Sequence, residues 1–465
     1  IEGVDFVGVD APAIVADAAR PFLGKPASHE TLAALAKAIS DAYGKTGIAL
    51  YTVAIPQQDL SGGQVKVLLA EGFVEEVIFP KGASPLVVAY SEKLRKERPL
   101  TKRRLERQLS LIRDIPGAKA DISLQRGTQA GGVRFQIVPE RKRTNFSFGI
   151  NNLAQSGLGR GQMQASAQGF SLFRDGDRTD LAYQGALDFE KFKYVALSHQ
   201  TPIGSDGLTF GLSGSYLGTR IDTPRISGDA WTAGLSLSYP VIRSYKRNLS
   251  VSLGLDGLNS EAALLSAVLS SDRIRTARGT AGYSQVDEKS VLTASLALSR
   301  GLDILGARTA PGMAQTDFTK ATGRIGYDRL IGKVIVVRMR ASGQYSKDML
   351  PANERFVIGG PDLGRAFESS IISGDRGFGG SAELALRPKL PEKLRGAELY
   401  GFIDGARLRF LRRPGFLPAN FSLASTGGGV RLAFNPHAWL ELEGARVIEK
   451  PFAAAPGGWR FNVNW

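Results

Sequence analysis

The chain has 465 residues, 55 of them Gly and none of them Cys, with a formal charge of +15 and a mean hydropathy of −0.09. The length allows two or three domains, and the lack of Cys excludes disulfide staples, thiolate metal sites and Cys nucleophiles. No run of about 18 apolar residues is present, which excludes a transmembrane helix; the basic residues carry no zinc-finger, helix-turn-helix or RNA-binding signature, which argues against nucleic acid as a partner.

The chain opens on Ile1 without a Met, so the expectation is that a leader has been removed. In residues 1–72, Ala13 to Leu23 and His29 to Tyr43 read as amphipathic helices, with Ser28 as N-cap of the second. Gly44 and Gly47 end that helix, and strands Ile48 to Ile55 and Gln64 to Glu71 follow. A short strand near Ile1 to Val4 completes a β-α-α-β-β order. Residues 73–142 repeat it: strand Phe73 to Phe79, helices Pro85 to Arg95 and Thr101 to Ile112, then a hairpin of Ala120 to Gln125 with Gly132 to Pro139. Two tandem modules of about 70 residues, each packing two helices on a small sheet, are an internal repeat of architecture.

From residue 143 to residue 465 only strand periodicity appears. Leu249, Val251, Leu253 and Leu255 interleave with Ser250, Ser252, Gly254 and Asp256, and comparable alternation recurs around Leu296 and Met339. About sixteen such segments can be placed: 143–153, 159–172, 178–188, 192–200, 208–218, 229–240, 247–258, 272–286, 289–301, 316–328, 332–346, 378–388, 397–410, 424–435, 437–449 and 457–465. In the last of them Trp459, Phe461, Val463 and Trp465 alternate with Arg460, Asn462 and Asn464. An aromatic, outward-facing closing strand suits a transmembrane β-barrel, and an even strand count suits antiparallel closure. Sixteen strands leave an aqueous lumen unless something fills it. One connection, residues 347–377, is too long for a hairpin; a loop of this length without structure of its own is usually functional, and in a barrel it can fold inward as a lid.

These features resemble a known family. Two β-α-α-β-β modules ahead of a sixteen-stranded barrel look like the POTRA-plus-barrel superfamily, and two modules favour its two-partner secretion (haemolysin secretion/activation) branch. Ala54 to Val67 is similar to the family's first-POTRA hairpin. Ile358-Gly359-Gly360-Pro361-Asp362-Leu363-Gly364-Arg365-Ala366-Phe367 resembles the inward loop with its Val-Arg-Gly-Phe/Tyr motif, although Ala366 stands where the family has Gly. Gly374-Asp375-Arg376-Gly377 followed by Glu383-Leu384 resembles the next strand, and Phe402-Ile403-Asp404 the Phe-x-Asp motif of the strand after it. The resemblance implies a lid lock formed by Gly364, Arg365 and Phe367 against wall residues Glu383, Phe402 and Asp404. Read from the residues alone, Asp404 faces the lumen because a carboxylate cannot face lipid cheaply. Arg365 is its natural partner, since a guanidinium fork matches a carboxylate; the alternative is that the two never meet and each stays solvated.

The basic run Lys93, Arg95, Lys96, Lys102, Arg103, Arg104 and Arg107 reads either as a solvated helical face or as a docking surface for acidic substrate or lipid headgroups. His29, His199 and His437 have no partners spaced for a metal site or triad. Gly157-Leu158-Gly159-Arg160-Gly161 reads as a hairpin loop, because no helix follows it. No nucleophile-base-acid set emerges, so the expectation is a protein without enzymatic activity, cofactor or metal. The resemblance implies an outer-membrane transporter whose periplasmic modules capture an extended partner polypeptide for export. The rival expectations are an assembly factor for other barrels and a passive porin-like channel.

Overall fold

The computed structural model describes residues 1–159, 161–222, 225–264, 267–388 and 396–465; Arg160 of the glycine-rich run therefore lies outside the described residues. Two compact units are present, Ile1–Lys142 with Arg243–Tyr245, and the remainder.

The first unit contains the repeat. In the first module, β1 (Gly3–Val7) runs parallel to β3 (Gln64–Glu71), which pairs antiparallel with β2 (Tyr51–Ala54). Helices α1 (Ala13–Ala19) and α2 (His29–Gly44) cover the sheet. Strand β3 alternates Val65, Val67 and Leu69, all buried, with exposed Lys66 and Leu68, and meets Val15, Leu35, Ile39 and Tyr43 from the helices. The second module repeats this with β4 (Phe73–Ile78), β6 (Gly132–Arg141) and β5 (Ala118–Arg126) in the order β4-β6-β5, under α3 (Pro85–Arg95) and α4 (Lys102–Arg113). Ser28, Ser84 and Thr101 cap their helices by accepting the N–H groups of Thr31, Val87 and Arg104. The first helix is shorter than the periodicity predicts. Pro21 has no N–H to continue the ladder, so the chain tightens into a 3-10 turn over Arg20–Phe22. The first strand is also displaced from Ile1–Val4 by a few residues, and the second is shorter than Ile48–Ile55. Tyr43 is fully buried; burial, with the Glu71 carboxylate adding to it, pushes its phenol up to about 12.

The second unit is a closed antiparallel barrel of sixteen strands. They are β7 (Thr144–Asn151), β8 (Gln162–Phe170), β9 (Arg178–Ala186), β10 (Phe192–Ile203), β11 (Leu208–Ile221), β12 (Ile226–Arg243), β13 (Arg247–Leu264), β14 (Ala267–Val286), β15 (Ser290–Gly301), β16 (Thr319–Ile331) and β17 (Ile335–Ser346). After the lid strands β18 (Phe356–Ile358) and β19 (Ile372–Gly374) come β20 (Arg376–Leu386), β21 (Gly396–Phe410), β22 (Ala419–Asn435), β23 (Ala438–Glu449) and β24 (Trp459–Asn464). Each of the sixteen predicted segments overlaps one barrel strand. The seam joins β24 to β7: Ile150 and Trp465 exchange N–H···O bonds of 2.8 and 2.9 Å, and the Asn152 side chain donates to Phe461 O and accepts from Val463 N–H. Alternation sorts the two faces. On β21, Tyr400, Phe402, Asp404, Ala406 and Leu408 are buried inside, while Leu399 and Ile403 are 59% and 55% exposed on the outer wall.

One expectation is corrected here. The 347–377 connection is not bare loop: it carries a 3-10 turn at Ala352–Glu354 and the β18/β19 hairpin, registered Phe356↔Gly374 and Ile358↔Ile372.

Candidate functional site

The lid's tip, residues 359–371, is folded by glycine. Gly359, Gly360 and Gly364 hold φ of +97°, +97° and +98°, a region that side chains avoid. This lets Gly359 N–H reach Leu363 O at 2.7 Å and Phe367 N–H reach Gly364 O at 2.9 Å. Ala366 is not among the positive-φ residues, so the exchange of Gly for Ala there places no strain on the backbone. Ile358, Leu363, Ala366 and Phe367 pack as one apolar cluster against Tyr400, Phe402, Ala406, Leu408, Leu423 and Ala445 of the wall.

This cluster carries Arg365 to the wall, where the arrangement differs from a simple Arg365–Asp404 fork. Asp404 accepts the backbone N–H of Arg365 at 3.2 Å and the Ser425 hydroxyl at 2.6 Å. The guanidinium Nε stands 4.0 Å from Asp404 Oδ2 and has no hydrogen-bond partner among the described residues. The guanidinium instead donates from Nη1 to Glu383 Oε2 at 3.1 Å and to Glu443 Oε2 at 3.0 Å, and lies over the Phe402 ring at 4.2 Å. The physical reason is reach. Asp404 is close enough to the lid backbone to be filled by N–H and O–H donors, and the longer glutamates on β20 and β23 meet the side-chain tip. Gly364 is bound to its place: a Cβ there would stand 2.7 Å from Leu423 Cδ1.

Behind the tip, the wall forms an ion-pair lattice. Glu383 also accepts from Arg338 at 2.7 Å and Arg431 at 2.7 Å; Glu398 joins the same two arginines. Tyr400 donates to Glu441 and Glu443, and Asn462 donates to Glu443. A second attachment holds the lid's descending limb to the adjoining stretch of wall formed by β14, β16 and β17. Glu354 is 2.6 Å from Lys320 Nζ and 3.4 Å from Arg278, and Gln344 donates to its carbonyl. Beside the lid a cavity of about 1230 Å³ remains, walled in part by Thr280, Thr322, Arg324, Arg340 and Ser342.

Sequence reasoning placed Gly364, Arg365, Phe367, Glu383, Phe402 and Asp404, and the structure brings all six into one contact region. It missed Glu443, Ser425, Asn462 and the Arg338/Arg431/Glu398 lattice. A signal for Glu443 was present: Glu441 and Glu443 alternate with Leu440 and Leu442 on β23, and carboxylates on that strand have nowhere cheap to point except inward. The basic run on α3 and α4 is not a uniform free face. Lys102 donates to Gly44 O and Thr46 O at 2.5 and 2.9 Å, Arg95 pairs with Glu92 and Arg104 with Glu97. Arg95, Lys96 and Arg103 are exposed; Lys93 and Arg107 are half-buried. On the closing strand, Trp459, Phe461 and Trp465 are 59%, 70% and 51% exposed on the outer face, with Trp459 and Phe461 stacked.

Comparison with known proteins adds to this geometry. The family described as haemolysin secretion/activation protein ShlB/FhaC/HecB matches residues 133–432, and the POTRA domain, ShlB-type, matches residues 1–72. The heme/hemopexin transporter protein HuxB of Haemophilus influenzae is 23% identical over 382 residues, 77% of this chain and 66% of that protein. The hemolysin transporter protein HpmB of Proteus mirabilis is 24% identical over 337 residues, 68% of this chain and 59% of that protein. The matches thus span about two thirds or less of these relatives' length. The solved structure of CdiB from Escherichia coli superposes with a TM-score of 0.81 over 100% of this chain and 89% of that one, at 19% identity, a likeness of fold.

Proposed function

The chain belongs to the ShlB/FhaC/HecB family of haemolysin secretion/activation proteins, and from that premise we propose that it exports one partner polypeptide across the bacterial outer membrane. The observation that carries this reading is the closed sixteen-stranded barrel occupied by its own inward hairpin, whose tip is held by apolar packing and ion pairs rather than by covalent or continuous sheet bonding. An apolar plug of this size without charges would be a permanent core. A charged tip beside a water-accessible cavity is exchangeable, because water and polar chain groups can replace its contacts.

The two N-terminal modules have open sheet edges at β1, β2, β4 and β5. Such edges accept an extended segment by strand addition, with backbone hydrogen bonds and little sequence demand. The partner then enters the lumen, where the hydroxyl- and arginine-lined cavity beside the lid offers the first polar path. Transport rather than catalysis is the activity. Outer-membrane lipid is the other partner, met by the aromatic and aliphatic outer face.

The experiment is a deletion strain analysed by quantitative proteomics of medium, cell surface and outer membrane. Loss of one secreted polypeptide supports export. A general fall in outer-membrane barrels would favour an assembly factor. Unchanged proteomes with lost small-solute permeability would favour a passive channel.

A further inference from the structure

Besides the Arg365 and Glu354 contacts, the lid has a further buried charge pair, at its root. Asp375, between β19 and β20, and Arg413, in the β21–β22 connection, are both 0% exposed at their side chains. The pair is bidentate, Nη1 to Oδ2 at 2.9 Å and Nη2 to Oδ1 at 2.6 Å. Every remaining position on both groups is filled. Arg413 also donates Nε to Met313 O at 2.6 Å, Nη1 to Leu411 O at 3.0 Å and Nη2 to Leu350 O at 3.1 Å, so all five N–H groups are used. Asp375 accepts the backbone N–H groups of Leu350 and Leu411, each at 2.8 Å, one on each oxygen. Antiparallel alternation puts the connections after β15, β17 and β21 at the same end of the barrel. The pair therefore ties three of them together: Met313 from the first, both roots of the lid (Leu350 and Asp375) from the second, and Leu411 and Arg413 from the third.

The tip is built differently. Arg365 Nε has no partner among the described residues, and its side chain keeps some exposure toward the cavity. If the tip leaves, Glu383 keeps Arg338 and Arg431, and Glu443 keeps Tyr400 and Asn462. If the root parted, two fully desolvated charges would lose each other, and the Leu350 carbonyl and the Leu411 N–H would lose their bonds to Arg413 and Asp375 with them, which is far costlier.

We infer that Asp375 and Arg413 are positioning residues that form the fixed pivot of the lid: opening releases the tip and turns the hairpin about a root that stays closed. The inference rests on the lid-gated export reading above, and the chain's lack of Cys makes it directly testable.

Two disulfide staples in the full chain separate the possibilities. A tip staple pairs Ala366→Cys with Ser425→Cys, neighbours whose backbone N (Ala366) and Oγ (Ser425) are 3.4 Å apart. A root staple pairs Gln315→Cys with Met349→Cys, joined by backbone bonding at 2.8 Å and outside the ion pair itself. Single-channel openings in planar bilayers in potassium chloride are counted before and after reductant. The pivot requires that the tip staple suppress openings at least about tenfold, reversibly, while the root staple leaves their frequency within about twofold. Suppression by the root staple comparable to that by the tip staple overturns the pivot and leaves lid gating standing. A tip staple without effect removes lid gating itself, and the pivot with it. A second measurement uses Asp375→Asn and Arg413→Lys, with barrel folding checked by heat-modifiable gel mobility. Folded variants should reclose slowly, with open dwell times lengthened about tenfold. Folded variants with unaltered dwell times would overturn the positioning role.

Discussion

Truncating Arg365 to Ala tests where the closed lid keeps its electrostatic hold. The substitution removes two charge-assisted bonds, to Glu383 at 3.1 Å and to Glu443 at 3.0 Å, and the stacking over Phe402. Each charged hydrogen bond contributes about 1.5–3 kcal/mol in a buried setting. Two features lower the sum: the side chain is 13% exposed beside a polar cavity, and both glutamates retain other partners. The net loss from the closed state is therefore about 2–4 kcal/mol, or roughly a 30- to 1,000-fold rise in the open-to-closed ratio. The apolar cluster of Leu363, Ala366 and Phe367 remains, so the lid loosens without unfolding. Asp404→Asn should do much less, about 1 kcal/mol, because Asp404 binds the lid through a backbone N–H and not through the guanidinium fork. Glu443→Gln should fall between the two. Open probability in planar bilayers reads all three. An Asp404→Asn effect equal to that of Arg365→Ala, with Glu443→Gln silent, would refute this assignment of partners.

Other outcomes follow from the same geometry. Gly364→Ala meets a φ of +98° and Leu423 Cδ1 at 2.7 Å, and should cost the closed lid about 1–3 kcal/mol; Ala366→Gly should change opening far less, and channel recordings compare the two. Ile403→Arg places a charge on the outer wall, where Ile403 is 55% exposed, and should lower folding into bilayers by about 2–4 kcal/mol if it lies at mid-depth; Thr322→Arg, on the cavity side, should be tolerated in the same folding assay. The Tyr43 phenol titrates near 12, above its ordinary value of 10.0. Its contribution to the first module is therefore complete below pH 10 and is lost as pH rises through 12; Tyr43→Phe should flatten that alkaline loss, followed by tyrosinate absorbance and thermal melts.

The barrel was legible because a strand with one face in lipid and one in water must alternate, and the run Leu249 to Asp256 shows this without any contact information. The modules were legible through caps such as Ser28 and Thr101 and through the repeated element order. Helix α1 was overextended because its apolar spacing continues past Pro21, while the missing N–H does not. The lid motif gave Arg365 and the Phe-x-Asp motif gave Asp404, yet not how they meet, since a backbone N–H leaves no trace in residue identity. The Asp375–Arg413 pair was illegible for a different reason. Its partners are 38 residues apart on separate connections, where no period applies; the Gly374–Gly377 motif drew notice to Asp375, but nothing in the sequence joined it to Arg413. The β18/β19 hairpin was hidden likewise, three-residue strands being too short for alternation to register.

Export as proposed takes a polypeptide through the barrel's interior past the lid. The most direct measurement places a photoreactive side chain at Thr322, on the cavity wall, and in a second variant at outward-facing Ile403, in cells actively secreting. Illumination should give a covalent adduct with a single secreted polypeptide from Thr322, and only lipid adducts from Ile403. Absence of a polypeptide adduct at Thr322 while secretion proceeds, or equal capture at Ile403, would contradict it.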